Sequence, residues 1–309
     1  MRAVRHHEYG DESVLRQEEA EQPTAGTGQV LLRVAGTAFN PVDVAIRAGY
    51  LHGVYPLSFP HVPGFDVSGT VVEVGPGVTV PAPGDEVVGF LPMDRDGGAA
   101  EYVVAPADVL TTAPSKVPLT DAAALPSAGL TAWQALHEHL DLQPGQRLLV
   151  NGAGGAVGGY AVQLAKAAGA HVIAVAGPGS ADRVRGYGAD QVVDRTQGPV
   201  TDAVDGTVDA VLDLAAAGPD AAAALIGLVR PGGGYVTTVP PGPAGDGGDV
   251  RVTSMFVRSD AAQLAGLVAQ VDAGQLQVWV DATLPLAELA AVHARSAAGE
   301  LHGKVVLVP

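Results

Sequence analysis

The chain has 309 residues, no cysteine, and 17 Lys+Arg against 33 Asp+Glu, a formal net charge of −16. That length suits two domains or one large one and buries a core without disulfide or metal staples. Absent cysteine removes disulfides, thiolate metal clusters and a cysteine nucleophile, and the acidic balance argues against nucleic acid and anionic lipid. No apolar run reaches the length of a membrane span, and the opening MRAVRHHEYG lacks a signal-peptide core, so a cytoplasmic protein off the membrane is expected.

The first third reads as β. Strands are predicted at 29–35, 67–74, 84–90 and 99–104, separated by Gly75-Pro-Gly77, Pro81-Ala-Pro-Gly84 and Asp94-Arg-Asp-Gly-Gly98. Short strands at this spacing suggest a barrel-like β unit. A helical stretch follows at 122–140. Strands at 147–151, 171–176, 191–194, 209–214 and 234–239 then alternate with helices at 155–168, 180–187 and 221–229. That alternation means βαβ units and a doubly wound parallel sheet, so the fold class is α/β. Residues 240–249 (PPGPAGDGGD) read as a flexible loop, and helices at 261–273 and 289–298 lead to a closing strand at 304–308.

One segment carries chemistry by its spacing. Leu148-Leu-Val-Asn-Gly-Ala-Gly-Gly-Ala-Val-Gly158 runs from an apolar strand into an apolar-faced helix, with Gly152, Gly155 and Gly158 three apart. A dinucleotide site needs such glycines, because the backbone must turn sharply near a pyrophosphate and aim the helix amides at it. The same glycines would also serve a packing turn in another α/β domain. After the next strand stands Val175-Ala-Gly-Pro-Gly-Ser180, with no acid before Asp182 and with Arg183, Arg185 and Arg195 behind it. An NAD site usually carries an acid there for the ribose hydroxyls. Gly177, Ser180, Arg183 and Arg195 suit the 2′-phosphate of NADP instead, whereas Arg185 reads as a solvated helix face.

Several stretches, in order, resemble the medium-chain dehydrogenase/reductase superfamily, and within it the zinc-independent quinone oxidoreductase branch. They are Phe39-Asn-Pro-Val-Asp43, Phe59-Pro-His-Val-Pro-Gly-Phe-Asp-Val-Ser-Gly-Thr-Val-Val-Glu-Val-Gly75 and Gly84-Asp-Glu-Val. Ala122-Ala-Ala-Leu-Pro-Ser-Ala-Gly-Leu-Thr-Ala-Trp133, the glycine turn and Gly303-Lys-Val-Val-Leu307 complete them. The resemblance implies a GroES-like β-barrel domain over 1–119 and 257–309 and a Rossmann NADP-binding domain over 120–256. It also implies a cofactor in the cleft between them and a homodimer. By the same resemblance, Thr131, Gly155, Ala156, Val157, Ala215 and Val239 would line the cofactor, and Met255 to Val257 the carboxamide and substrate.

Metal-holding members of that superfamily bind catalytic zinc with a Cys, a His and a Cys. The corresponding positions are Asn40, Phe65 and Ser127, a set with no competent zinc ligand, and no metal is expected. His6-His7, His137 and His139 read as surface histidines, and His61 as a structural or rim residue. Without a Lewis acid the remaining chemistry is hydride delivery from NADPH to an electron-poor small-molecule acceptor, a quinone or an α,β-unsaturated carbonyl. Asn40 is the candidate donor to the developing oxyanion, its other reading being a cap for the turn before Pro41. Asp43 reads as the N-cap of a short helix at 44–48. Some members of the branch carry Tyr where Ala45 stands, and Tyr50 or Tyr55 is the candidate to replace it as a wall for the acceptor. Rival readings are an enoyl-thioester or polyketide-tailoring reductase of the same fold, and a non-catalytic NADPH-binding protein.

Overall fold

Runs of Val, Ile, Leu and Ala with no polar alternation can be strands only where both faces of a sheet are covered. The middle of the chain has several, and in the computed structural model, which describes residues 1–216, 218–239 and 248–309, they form the centre of a parallel sheet. Two units divide the chain. Met1–Ser127, Ser259–Gly274 and Val278–Pro309 make the first, and Ala128–Arg258 with Gln275–Gln277 makes the second.

The second unit holds six parallel strands in the order Gln191–Asp194, His171–Ala176, Arg147–Asn151, Val208–Asp213, Val229–Thr237, Arg251–Ser254. Leu148, Leu149, Val150, Val172, Ile173, Val211 and Leu212 are fully buried and form its core. The chain winds outward from Arg147–Asn151 to one edge and then returns to the other side of that strand. Loops leaving the carboxyl ends of Arg147–Asn151 and Val208–Asp213 therefore diverge, and a crevice opens where α/β sheets bind ligands. The sequence reading omits the edge strand Arg251–Ser254, because a half-solvated edge of mixed polarity lacks the apolar run that marks its neighbours. The predicted helical stretch at 122–140 is broken: Leu119–Ala122, then Pro126–Gln134, then a wider π-turn over Ala135–His139. Pro126 opens the second segment, where its missing N–H does no harm. The loop expected at 240–249 lies mostly outside the described residues.

The first unit is built on a seven-stranded, largely antiparallel sheet. Its path is Ala282–Pro285, Val305–Val308, Gln29–Ala38, Asp66–Val74, Glu86–Phe90, Leu110–Thr112, with Tyr102–Pro106 also paired to Gln29–Ala38. The pairing of Gln29–Ala38 with Asp66–Val74 slips register twice, which bends the sheet. Gly69 lies at this bend, and a Cβ there would stand 2.4 Å from Arg33 O. Arg2–Arg5 pairs with Arg16–Glu19 as a separate ribbon. The histidine reading fails at one place: His6 is fully buried while His7 is exposed. Successive residues of an extended chain point to opposite sides, so adjacency in sequence does not make two histidines alike. His61 is buried too, with its ring edge-on to His6. Among the described residues no helix is long and apolar enough to cross a membrane.

Candidate functional site

The crevice of the second unit is lined by the glycine turn. Gly152 has φ +86°, a region that L side chains rarely adopt, and it reverses the chain between strand Arg147–Asn151 and helix Ala156–Ala167. A Cβ on Gly158 would lie 2.3 Å from Gly152 O and 2.5 Å from Ala153 Cα, so glycine is what lets the helix sit on the turn. A Cβ on Gly155 would meet nothing closer than Gly152 O at 3.4 Å, so this glycine leaves an open surface rather than a tight contact. Gly159 N–H donates to Gly155 O (2.9 Å), which closes the first helical turn. The N–H groups of Ala156, Val157 and Gly158 precede that bond and lie at the positive end of the helix.

The predicted phosphate group gathers around the same turn. Arg183 donates from Nη2 to Gly154 O (2.8 Å), and Ser180 Oγ donates to Gly177 O (3.2 Å). A Cβ on Gly177 would stand 3.3 Å from Arg195 Nε, and Arg195 N–H donates to Ala176 O (3.1 Å). Two guanidinium groups thus flank the end of strand His171–Ala176. Arg185 instead pairs with exposed Asp182 at 2.6 Å, as a solvated helix face should. Backbone amides at a helix start, an open glycine surface and two cations fit a dinucleotide with an additional phosphate.

Sequence reasoning missed the network beneath this crevice. Asp213 is buried at the end of its strand; its Oδ1 accepts from Asn151 Nδ2 (2.8 Å) and from Ala215 N–H (3.2 Å), and its Oδ2 from the Tyr235 hydroxyl (2.6 Å). Burial and the Asp213 carboxylate both push the Tyr235 hydroxyl above its ordinary range, so it stays a donor. Three strand ends are pinned together at the switch point. Ala215 and Val239 follow two of these strands and are half-buried, and Thr131 is buried in helix Pro126–Gln134. Met255 is buried and donates its N–H to Thr237 O (2.9 Å), while Phe256 is exposed. An Asp and a Tyr inside apolar strands were the available signal.

The first unit holds a different kind of site. Asn40 precedes helix Pro41–Arg47, and its N–H donates to Asp43 Oδ2 (2.8 Å), while Asp43 N–H donates to Asn40 O (2.9 Å). Asn40, rather than Asp43, is therefore the N-cap, and Asp43 closes a capping box from within the first turn. Burial pushes Asp43 up to about 7, against the pull of the Asn40 N–H and the Lys304 charge. The Asn40 side chain turns inward. Its Nδ2 donates to Ala38 O (3.2 Å) and Asp66 Oδ2 (2.9 Å), and its Oδ1 accepts from Lys304 Nζ, with Ser127 Oγ at 3.1 Å. Asp66 Oδ2 also accepts from Ser127 Oγ (2.6 Å) and Lys304 Nζ (2.9 Å), and Asp66 Oδ1 from Ser127 N–H (2.8 Å). An ammonium can only donate, so it fixes the amide with oxygen toward Lys304 and nitrogen toward the carboxylate.

This geometry corrects the expected role of Asn40. An amide has two N–H donors, and both are committed to protein oxygens, so neither is offered to a substrate oxyanion. Tyr50 does not join the group either: it stands 82% exposed past the end of the helix and forms no buried wall. The donor set does not fit zinc. Phe65, at the position of the family's histidine ligand, packs its ring on Phe90 at 5.2 Å, and the nearby oxygens already hold an ammonium. Among the described residues no group of three or more His, Asp or Glu is placed to hold a metal. A partly open void beside Asp43 is lined by His6, Arg47, His61 and Phe65 among others.

Comparisons with known proteins bear on the family of this fold. Residues 26–115 match the alcohol dehydrogenase GroES-like domain, and residues 187–307 match the family described as zinc-binding dehydrogenase. The chain is 32% identical over 330 residues to the chloroplastic quinone-oxidoreductase QR1 of Triphysaria versicolor, covering 100% of this chain and 98% of that one. It is 31% identical over 325 residues to the 2-methylene-furan-3-one reductase of Solanum lycopersicum, covering 100% of this chain and 79% of that protein. The crystal structure of an NAD-dependent alcohol dehydrogenase superposes with a TM-score of 0.91 at 32% identity over the full length of both chains.

Proposed function

Because this chain belongs to the medium-chain dehydrogenase/reductase superfamily, it is an oxidoreductase with a nicotinamide cofactor, and we propose that it is an NADPH-dependent, metal-independent reductase of quinones or α,β-unsaturated carbonyls. The observation that carries this reading is the donor set of the first unit. An amide, a hydroxyl, a phenyl ring and a lysine-paired carboxylate cannot assemble a zinc site, although the matched family is described as zinc-binding. Alcohol oxidation in such folds relies on a metal to acidify the alcohol. Reduction of an acceptor that is already electron-poor does not. The relatives named for quinone and furanone reduction support that class of acceptor.

Bound NADPH supplies a hydride, and the acceptor gains that hydride and a solvent proton, giving hydroquinone or saturated carbonyl with NADP⁺. The chain's own residues bind and orient. The amides of Ala156, Val157 and Gly158 would hold the pyrophosphate at the helix start. Arg183 and Arg195 would pair the 2′-phosphate where an NAD site would carry an acid. Asp213 ties Asn151, Ala215 and Tyr235 together beneath the strand ends that border the crevice. Holding the reactants in one geometry is the main device left to an enzyme whose cofactor carries the chemistry.

The test is NADPH oxidation against a panel of quinones, enones and enals, with NADPH binding followed separately by fluorescence. Acceleration by at least one acceptor class, with NADH markedly poorer, is expected. Tight NADPH binding with no acceptor turned over would instead make this a binding protein.

A further inference from the structure

Gly303-Lys-Val-Val-Leu307 is a motif whose lysine the reaction above does not use. In the structure Lys304 is buried, and its ammonium reaches back across the chain to Asp66 and Asn40, with side-chain exposures of 4% for Lys304 and 0% for Asp66. By contrast the Lys166–Asp190 pair is 30% exposed on each side. Burying an ion pair costs several kcal/mol per ion in solvation, and an apolar replacement often stabilises a protein as well or better. A buried pair is thus weakly explained by stability. Its place is informative: Lys304 bridges Asn40 to the carboxylate that also binds Ser127, and by the family resemblance Asn40 and Ser127 stand where metal-holding members carry zinc ligands.

We propose that Lys304 is the resident cation of this site, a positioning residue whose ammonium does for Asn40, Asp66 and Ser127 the orienting and charge-balancing work that a metal does elsewhere in the superfamily. Among these four residues one positive charge faces one carboxylate. Ser127 Oγ donates its hydrogen bond to Asp66 at 2.6 Å, and the Asn40 amide is locked by donors and acceptors on both ends. Asn40 is half-buried while the other three are buried, which makes it the member nearest solvent. This inference rests on the reductase reading for its kinetic consequence and on geometry alone for the cation.

Chemical rescue separates the two. Lys304→Ala leaves a cavity of lysine shape and an unpaired carboxylate, and ethylammonium chloride is small enough to refill it. We expect Lys304→Ala to lose Tm and to reduce acceptors about tenfold slower or worse in kcat, with NADPH affinity little changed. Ethylammonium should restore both Tm and kcat in a saturable way, whereas equal sodium chloride or tetramethylammonium should not, and Lys304→Arg should retain an intermediate kcat. Restored Tm without restored kcat would make Lys304 structural and overturn the positioning role. Wild-type kcat in folded, unrescued Lys304→Ala would overturn it as well. No thermal rescue by ethylammonium would overturn the resident cation itself. A wild-type chain that reduces no acceptor would sink the reductase reading and with it the positioning role, while thermal rescue still decides the cation.

Discussion

The glycine turn of the second unit and the polar cluster of the first are built by opposite means. The turn is made of backbone from one short stretch, and its glycines matter for what they lack: a Cβ at Gly158 would strike Gly152 O and Ala153. The cluster is made of side chains from residues 40, 66, 127 and 304, and matters for the charges it balances. A backbone site is specified locally and tolerates little added volume. A site of converging buried side chains does not tolerate the loss of one charge.

That contrast can be broken by experiment, most forcefully at the cluster. Asp66→Ala strands a buried ammonium, and a stability loss of about 3–5 kcal/mol is expected by denaturant unfolding. Adding Lys304→Met should recover most of it, because no unpaired charge then remains; an equal loss in the double variant would mean that packing, not charge, holds the cluster. At the turn, Gly158→Ala should cost about 1–3 kcal/mol and weaken NADPH binding, while Gly179→Ala, with open space where its Cβ would go, should do neither. Equal effects would sink the close-approach argument.

Acid should distinguish the two units next. Burial holds His6 down to about 4 and His293 to about 3, aided in both by the Arg47 charge. A depressed folded pKa contributes stability that is present above the unfolded value of about 6.5 and is lost as pH falls through 4 and 3. Asp43 has the opposite sign: raised to about 7, it favours the fold below about pH 4 and loses that contribution as pH rises through 7. His6 and His293 both belong to the first unit and together outweigh the opposite contribution of Asp43, so hydrogen exchange at pH 4 should show that unit opening before the second; simultaneous opening would contradict this. The smallest contrast is between two arginines. Arg183→Glu should weaken NADPH binding about tenfold or more and leave NADH nearly unchanged. Arg185→Gln, which breaks an exposed pair with Asp182, should change stability by about 0.5 kcal/mol or less.

Much of the second unit is readable because its signals are local. Buried strands such as His171–Ala176 announce themselves as apolar runs, and Gly152, Gly155 and Gly158 report a turn by spacing alone. The stretch 122–140 reads as one helix only if periodicity outweighs Pro126, and His6 reads as exposed only because His7 is. Asn40 reads as a donor because the sequence names the residue and not its partners. Asp66 and Lys304 are visible as lone charges bordering apolar strands, yet nothing in their spacing says that they meet.

The sequence by itself determined the α/β class, the parallel order implied by alternating strands and helices, the glycine turn and the lack of cysteine. Each follows from periodicity, from residues without side chains or from residue types that are missing, and none depends on where distant segments lie. Only the tertiary structure decided that both Asn40 amide protons are taken, that Asp213 ties three strand ends, and that a lysine 264 residues from Asn40 supplies the cation. Those are contacts at hydrogen-bond range between side chains far apart in the chain, and folding alone brings them within reach.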